Sequence, residues 1–414
     1  MTAAASVLPA GRASPDAGTS RFLHVVDVGT SCGAGSAAAA IALMAGADRG
    51  VTHELLLLGT RGDAEIAARA GFPPGRTIAP LLGDPLWSRR AIAAIAAERG
   101  ATAPAGCDVV AWGEGALAVL LDGSAPRSGG SRLAFVAAIG PSKGRAARSI
   151  RASLASGAAP PAAIAWSEAA ARETNDVLGI EARLVPPPAI QPTLTPVAAA
   201  HRDRLRWSWG ASESTFVVGL ASDPVEWGDA RRACEITGFA RLQGRDVLLV
   251  LHPASARLAA TQAWVNELGL ASMLRTDRRM AEPWAVIGAL DAVLCLGDGV
   301  SLAGAAARRA IPADPFALLP TSLAARAASP APLAWAMALG RPVLADATAV
   351  AGWGWGAGVL AFPSDDPLAA TRTLLTLIAD PSARAAAAES VRHGCHALEP
   401  RRVAAGWRDA FASA

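Results

Sequence analysis

Short runs of consecutive apolar residues alternate with alanine-rich helical segments along most of the chain. In the first half these runs fall at 22–28, 53–58, 108–112, 133–137 and 162–166. In the second half they fall at 215–220, 246–251, 292–296, 342–345 and 358–362. Short, fully apolar runs are typical of strands buried on both faces, and intervening helices indicate parallel sheets. The pattern therefore predicts an α/β protein with two doubly wound sheets.

Local signals mark several helix ends. Ser167 is expected to cap a helix in the first half of the chain. Asp366 and Asp380 each stand before a proline that suits the first helical position. Gly340 is expected to adopt the left-handed conformation that ends a helix begun near Pro332.

A proline-rich segment over 186–196 is the predicted domain boundary, because adjacent prolines cannot join a helix or a central strand. Residues 1–20 lack a continuous apolar core and are expected to form a disordered tail rather than a signal peptide. The first domain is expected over 21–196 and the second over 197–385, with an insertion at about 300–328. Helices over 386–414 are expected to pack back onto the first domain.

Composition narrows the classes of function. Hydrophobic residues make up 52% of the 414 residues and charged residues 18%, which indicates two well-packed domains. The five cysteines form no CxxC pair, which argues against a zinc site or a disulfide framework and favours a cytoplasmic protein. The net charge of +3 is too small to indicate nucleic-acid binding. No apolar run approaches the roughly 20 residues of a membrane span.

The segment 329–345 reads SPAPLAWAMALGRPVLA and is followed by matching stretches at 358–367 and 380–384. It resembles the donor half of retaining GT-B glycosyltransferases of the family-4 type, in which the frame reads roughly EGFGLPLLEAMAxGxPV. The resemblance covers about 22–411. It implies the GT-B fold, that is, two Rossmann-like domains facing a central cleft, with the C-terminal helix crossing back to the first domain.

The sequence departs from that family at the charged donor-site positions. The resemblance places Ser222 and Trp227 where the family has its arginine and lysine, and Ala327 and Trp335 where it has two glutamates. No lysine follows Lys143 and no glutamate lies between 283 and 388, so no shift of the alignment restores them. The sequence therefore predicts a donor lobe that kept its architecture and lost its charged side chains.

Several residues remain as candidates for contacts to a nucleotide-sugar donor. Phosphates are expected at a helix N-terminus, near 298–301 or Ser329. Trp353 and Trp355 either stack on a ligand or fill the emptied cleft. Arg231 and Arg232 either replace the missing cations or lie on a solvated helix face, and the solvated face is the favoured interpretation. The complete set of donor-binding candidates is Ser222, Trp227, His252, Asp298, Ser329 and Trp335.

Glycines and histidines allow further interpretations. Gly33 and Gly35 lie in a tight turn or in a loop facing the cleft, and a GxGxxA match leaves NADP binding as a minor alternative. His252, at the end of a strand, is either a ligand contact or a loop anchor. His24 alternates with apolar residues and is expected to be a satisfied core residue. No histidine spacing indicates a metal site.

Two classes of function remain open at this stage. The chain is either a glycosyltransferase that works without a metal or cofactor, or an inactive homologue that binds a ligand or a protein partner. An enzyme would take a nucleotide sugar and an acceptor glycan or lipid. Lys143, Arg145, Arg148 and Arg151 fall near one face of a predicted helix, which is either solvated or in peripheral contact with an anionic membrane. The catalytic residues are not predicted.

Overall fold

The computed structural model describes residues 20–28, 32–48, 50–78, 107–121, 132–141, 144–189, 196–223, 228–296, 329–347, 353, 357–363 and 366–412. The chain divides into two compact units. The N-terminal unit runs to Pro188 and also contains Glu399–Ala414, and the C-terminal unit is Ala189–Leu398. The chain therefore leaves the N-terminal unit after Pro188, earlier than the predicted boundary at 196. The predicted tail and insertion lie almost wholly outside the described residues.

The N-terminal unit is a parallel sheet of seven strands in the order β3-β2-β1-β4-β5-β6-β7. Its strands are β1 (Ser20–Asp27), β2 (Val51–Leu58), β3 (Arg76–Ile78), β4 (Cys107–Trp112), β5 (Leu133–Ala137), β6 (Ala162–Ala165) and β7 (Ala182–Leu184). Its helices are α1 (Ala34–Ala47), α2 (Arg61–Arg69), α3 (Glu114–Leu121), α4 (Arg145–Ala155), α5 (Glu168–Leu178) and the C-terminal helix, described below.

The C-terminal unit is a parallel sheet of six strands in the order β10-β9-β8-β11-β12-β13. Its strands are β8 (Phe216–Leu220), β9 (Val247–Leu251), β10 (Leu274–Thr276), β11 (Ala292–Cys295), β12 (Val343–Asp346) and β13 (Leu360–Phe362). Its helices are α6 (Pro196–Ser208), α7 (Ala230–Leu242), α8 (Leu258–Glu267), α9 (Pro283–Val286), α10 (Ala331–Ala338), α11 (Pro367–Ala379) and α12 (Pro381–Gly394). Every residue of β8, β9, β11 and β12 is buried, which explains why their sequences are apolar at every position except Asp346, the last residue of β12.

The predicted helix ends are confirmed. The Ser167 side chain accepts a hydrogen bond from the Ala170 amide at 3.1 Å. Asp366 and Asp380 cap α11 and α12 in the same way. Gly340 follows α10 with a φ of +60°, a conformation that costs glycine less than other residues.

The C-terminal helix α13 (Pro400–Ala412) belongs to the N-terminal unit. The Trp407 ring lies 5.6 Å from the Trp112 ring, measured between centroids, and Arg408 pairs with Asp48 at 2.7 Å. The prediction that all of 386–414 packs back is wrong for 386–398, which belong to the C-terminal unit. The last residue of α12, Gly394, packs closely inside that unit: a β-carbon on it would lie 2.5 Å from the Ala357 carbonyl oxygen.

Candidate functional site

The strand order of the C-terminal unit reverses between β8 and β11. Chain order runs from β8 outward to β10 on one side and from β11 outward to β13 on the other. In open parallel sheets, ligands bind beyond the carboxyl ends of the strands at such a reversal. The residues after these strands are therefore the first place to look for a site.

The loop after β8 meets the start of α10 at this point. The Ser329 amide donates a hydrogen bond to the Asp223 carbonyl oxygen at 3.0 Å, and both residues are buried. The Ser329 hydroxyl accepts a hydrogen bond from the Ala331 amide at 3.3 Å. The N-terminus of the eight-residue α10 is thus held beside the loop that contains Ser222 and Asp223. A helix N-terminus carries partial positive charge and suits an anionic group.

A buried ion pair lies across the same edge. The Arg232 guanidinium donates to the Asp346 carboxylate at 2.6 Å, and the two residues are 8% and 1% exposed. Arg232 lies in the first turn of α7, whereas Asp346 is the last residue of β12, so the pair bridges from the β8 side of the reversal to the β12 side. The interpretation that Arg232 lies on a solvated helix face is wrong. Most of α7 is buried, and its first turn lies over the sheet edge.

Asp229 extends this charged network. Its side chain caps α7 by accepting the Arg232 amide at 3.2 Å, and it also pairs with Arg257. Arg257 has a φ of +60° and is the one non-glycine residue with positive φ in the described part of the chain. Such strained backbone persists where the surrounding structure enforces it, and it is common at functional sites.

Arg231 does not join this network. Its guanidinium lies 3.4 Å from the centroid of the Trp264 ring, and its Nε donates to Glu235 at 2.8 Å. It therefore serves packing between α7 and α8. The carboxyl edge holds charged side chains after all, but they come from Asp229, Arg232, Arg257 and Asp346 and not from the positions that the family motif would supply.

Known proteins share this fold and not this sequence. No family profile matches the chain, and no curated protein matches it in sequence. HepE from Anabaena, in complex with UDP and glucose, superposes with a TM-score of 0.64 at 15% identity, covering 95% of this chain and 100% of HepE. A glycosyltransferase from Rickettsia africae gives 0.60 at 11% identity, covering 96% and 99%. UDP-GlcNAc 2-epimerase from Neisseria meningitidis, bound to UDP-GlcNAc, gives 0.52 at 11% identity, covering 95% and 100%.

The chain has the GT-B fold. This conclusion rests on the two parallel sheets and on the nearly complete coverage of these structures. The expected fold class is confirmed.

The remaining candidates have different surroundings in this GT-B protein. His252 follows β9 and accepts a hydrogen bond from the Ala254 amide on its Nδ1 at 3.0 Å. Partial burial lowers the pKa of His252, the Arg278 charge lowers it further, and Asp277 raises it. A neutral imidazole that holds its own turn supports the loop-anchor interpretation, while a ligand contact through Nε2 stays a prediction.

Trp335 and Trp353 are both buried. Trp335 is 3% exposed, and its ring centroid lies 6.4 Å from that of Trp284. Trp353 is 6% exposed. These values favour packing over ligand stacking. Trp227, Asp298, Ala327 and Trp355 lie outside the described residues.

The cleft-loop glycines belong to the other unit. Gly33 directly precedes α1 and Gly35 is buried in its first turn, beyond the carboxyl end of β1. Among the described site candidates, the structure brings together Ser222 and Ser329 through Asp223. The described residues contain no group of three or more His, Cys, Asp or Glu side chains that could hold a metal. No helix in the described part of the chain has the length and apolar character to cross a membrane.

Proposed function

We propose that this GT-B protein is a glycosyltransferase that binds a nucleotide sugar at the carboxyl edge of its C-terminal sheet and transfers the sugar to an acceptor. The observation that carries the proposal is the Asp223–Ser329 hydrogen bond, which holds the start of α10 beside the β8 loop at the strand reversal. HepE, which shares the fold, was solved in complex with UDP-glucose. That ligand is the first one to test.

The proposed donor site stabilises the diphosphate leaving group without a metal. As the glycosidic bond breaks, negative charge grows on the phosphate oxygens and needs a fixed positive potential. The N-terminus of α10 supplies one contribution and Arg232 supplies another. Asp346 acts as a positioning residue, because its hydrogen bond fixes the Arg232 guanidinium before any ligand arrives.

Binding and transfer can be measured separately. Calorimetric titration with UDP and UDP-glucose tests the site, and release of UDP from UDP-glucose with and without candidate acceptors tests the chemistry. NADPH belongs in the same titrations. We expect UDP and UDP-glucose to bind, and NADPH not to bind. UDP binding without transfer to any acceptor would favour the inactive homologue, and binding of NADPH alone would contradict the proposal.

A matched pair of capping variants locates the site. Ser329→Ala removes the hydroxyl that accepts a hydrogen bond from the Ala331 amide at the start of α10. Thr60→Ala also removes a hydroxyl that accepts an amide at the start of a helix, here α2 in the N-terminal unit, where Thr60 and Asp63 form a reciprocal capping pair. We expect Ser329→Ala to weaken UDP binding severalfold and Thr60→Ala to leave it unchanged. Equal effects would show that the start of α10 is not part of the site.

A further inference from the structure

The opposite, amino-terminal edge of the C-terminal sheet carries a cluster of arginines that the proposed donor site does not use. Arg341 directly precedes β12, and its Nη2 donates to the Gly288 carbonyl oxygen at 2.6 Å. Arg206, from the last turn of α6, donates to the neighbouring Ala289 carbonyl oxygen at 3.3 Å. The two guanidiniums therefore hold adjacent carbonyl groups of the turn that leads into β11.

Two more arginines complete the cluster. Arg392, near the end of α12, lies against Gly340: a β-carbon on that glycine would lie 2.3 Å from the Arg392 Nε. Arg202 lies one helical turn before Arg206 on α6 and therefore shares its face. Arg202 and Arg392 are exposed, whereas Arg341 is partly buried and its Nε atom is fully buried. The pKa of Arg341 is lowered to about 10, first by burial and then by the charges of Arg202, Arg206 and Arg392, with Asp291 opposing them.

The described carboxylates do not balance this charge. Asp291 accepts from Arg206 at 2.8 Å and from the Val217 amide at 2.8 Å. Glu389 pairs with Arg392 at 2.9 Å. Among the described residues, no carboxylate forms an ion pair with Arg202 or Arg341. The buried Arg341 Nε also lacks a hydrogen-bond partner. A partly buried cation without an ion-pair partner is unfavourable, and an anion that reaches it is bound more tightly for that reason.

We propose that three arginines of this cluster, Arg202, Arg341 and Arg392, bind a small oxyanion, such as a phosphate or sulfate group. The fourth, Arg206, is already paired with Asp291. Guanidinium groups bind these groups through paired N–H donors, which a chloride ion cannot match in geometry. The exposed Arg202 and Arg392 form the entry, and the partly buried Arg341 supplies a charge that no carboxylate of the described residues pairs with directly. The site lies at the end of the sheet opposite the proposed donor site, so it is independent of that function.

The test is calorimetric titration of the full chain with inorganic phosphate and with sulfate, against chloride at equal ionic strength. Arg202→Gln removes an exposed arginine that makes no described contact, so folding is not at risk. Arg341→Lys keeps the charge and loses the paired donors. We expect each variant to weaken oxyanion binding by about tenfold or more. Arg401→Gln, an exposed change of equal charge on α13, is the control and should leave binding unchanged.

A second arm separates this site from the donor site. The phosphate titration is repeated at saturating UDP. If both sites exist, phosphate should still bind and still respond to Arg202→Gln. If UDP does not bind at all, the arginine variants alone decide the matter. Displacement of phosphate by UDP, an equal loss in Arg401→Gln, or no preference for oxyanions over chloride would each overturn the proposal.

Discussion

The two units share a parallel-sheet architecture but place their buried polar groups differently. In the N-terminal unit, polar rings lie inside the fold, between the sheet and α13. Trp112 Nε1 donates to His24 Nδ1 at 3.1 Å, and His24 Nε2 lies 2.9 Å from His53 Nδ1. In the C-terminal unit the core is mostly aliphatic and the buried charges lie beyond the ends of the strands, with the Arg232–Asp346 pair at the carboxyl ends and Arg206 at the amino-terminal ends. In the N-terminal unit the buried polar rings pack beneath α13. In the C-terminal unit the Arg232–Asp346 pair lies at the carboxyl ends of the strands, where ligands bind in such folds.

The imidazole pair in the N-terminal unit has a defined protonation state. Because His24 Nδ1 accepts the tryptophan N–H, its proton lies on Nε2 and is donated to His53 Nδ1. Any additional proton on either ring would place two N–H donors face to face. His24 is therefore a satisfied core residue, as the sequence predicted, and both rings are neutral in the folded protein.

The largest expected effect on stability comes from breaking the Arg232–Asp346 ion pair in the C-terminal unit. Arg232→Met leaves the Asp346 carboxylate buried without its ion-pair partner. We expect a loss of about 3–5 kcal/mol in the free energy of unfolding, measured by urea denaturation. The double variant Arg232→Met/Asp346→Leu should recover most of this loss, since it removes both charges. An unchanged stability in the single variant would show that the pair is not buried as described.

A smaller effect is expected in the N-terminal unit, whose stability should depend on pH through His24 and His53. Burial lowers the pKa of His53 to about 4 and that of His24 well below its usual value. Between about pH 6.5 and 4 the unfolded chain binds more protons than the folded one, so stability falls as pH falls through this window. His53 alone accounts for about 3 kcal/mol of that loss. Urea midpoints measured at intervals from pH 7 to 4 check this.

The matching control uses an exposed histidine. His53→Phe removes the titrating ring that lies beside Phe22 and should flatten the pH dependence of stability. His393→Gln, on an exposed part of α12, should leave that dependence intact. If both variants keep the wild-type slope, the imidazole pair does not govern the acid response, and the contrast between the units fails on the N-terminal side.

The smallest expected effect on stability comes from removing a single hydroxyl at the start of α10 or of α2. Ser329→Ala and Thr60→Ala should each lower the free energy of unfolding by about 1 kcal/mol, because each removes a hydroxyl that accepts one amide at the start of a helix. Urea denaturation measures both. Similar stability losses with different effects on UDP binding would sharpen the contrast between the units. A much larger loss for Ser329→Ala would show that any change in its UDP binding reflects disruption of α10.

The buried central strands could be predicted from sequence, as could the edge strand β13, whereas the other three edge strands could not. The predicted runs at 133–137 and 292–296 match β5 and β11 closely, because complete burial imposes an apolar residue at every position. The strands β3, β7 and β10 were not predicted. Each has three residues, one of them arginine, and its pairing depends on the neighbouring strand rather than on its own pattern.

The charged residues at the carboxyl ends of the C-terminal strands could not be predicted from the sequence either. Arg232 and Asp346 are 114 positions apart, and neither lies in a motif that marks a site. The family frame drew attention to Ala327 and Trp335 instead. Only the strand order shows that the start of α7 and the end of β12 flank the same reversal. The position of Asp346 at the end of an apolar run was the one local signal available.

A structure of the protein with UDP bound tests the central claim most directly. The account predicts that the diphosphate lies beyond the carboxyl ends of β8 and β11, within hydrogen-bonding reach of the start of α10 and close to Arg232. A UDP molecule bound in the N-terminal unit, or at the amino-terminal edge of the C-terminal sheet, would contradict it.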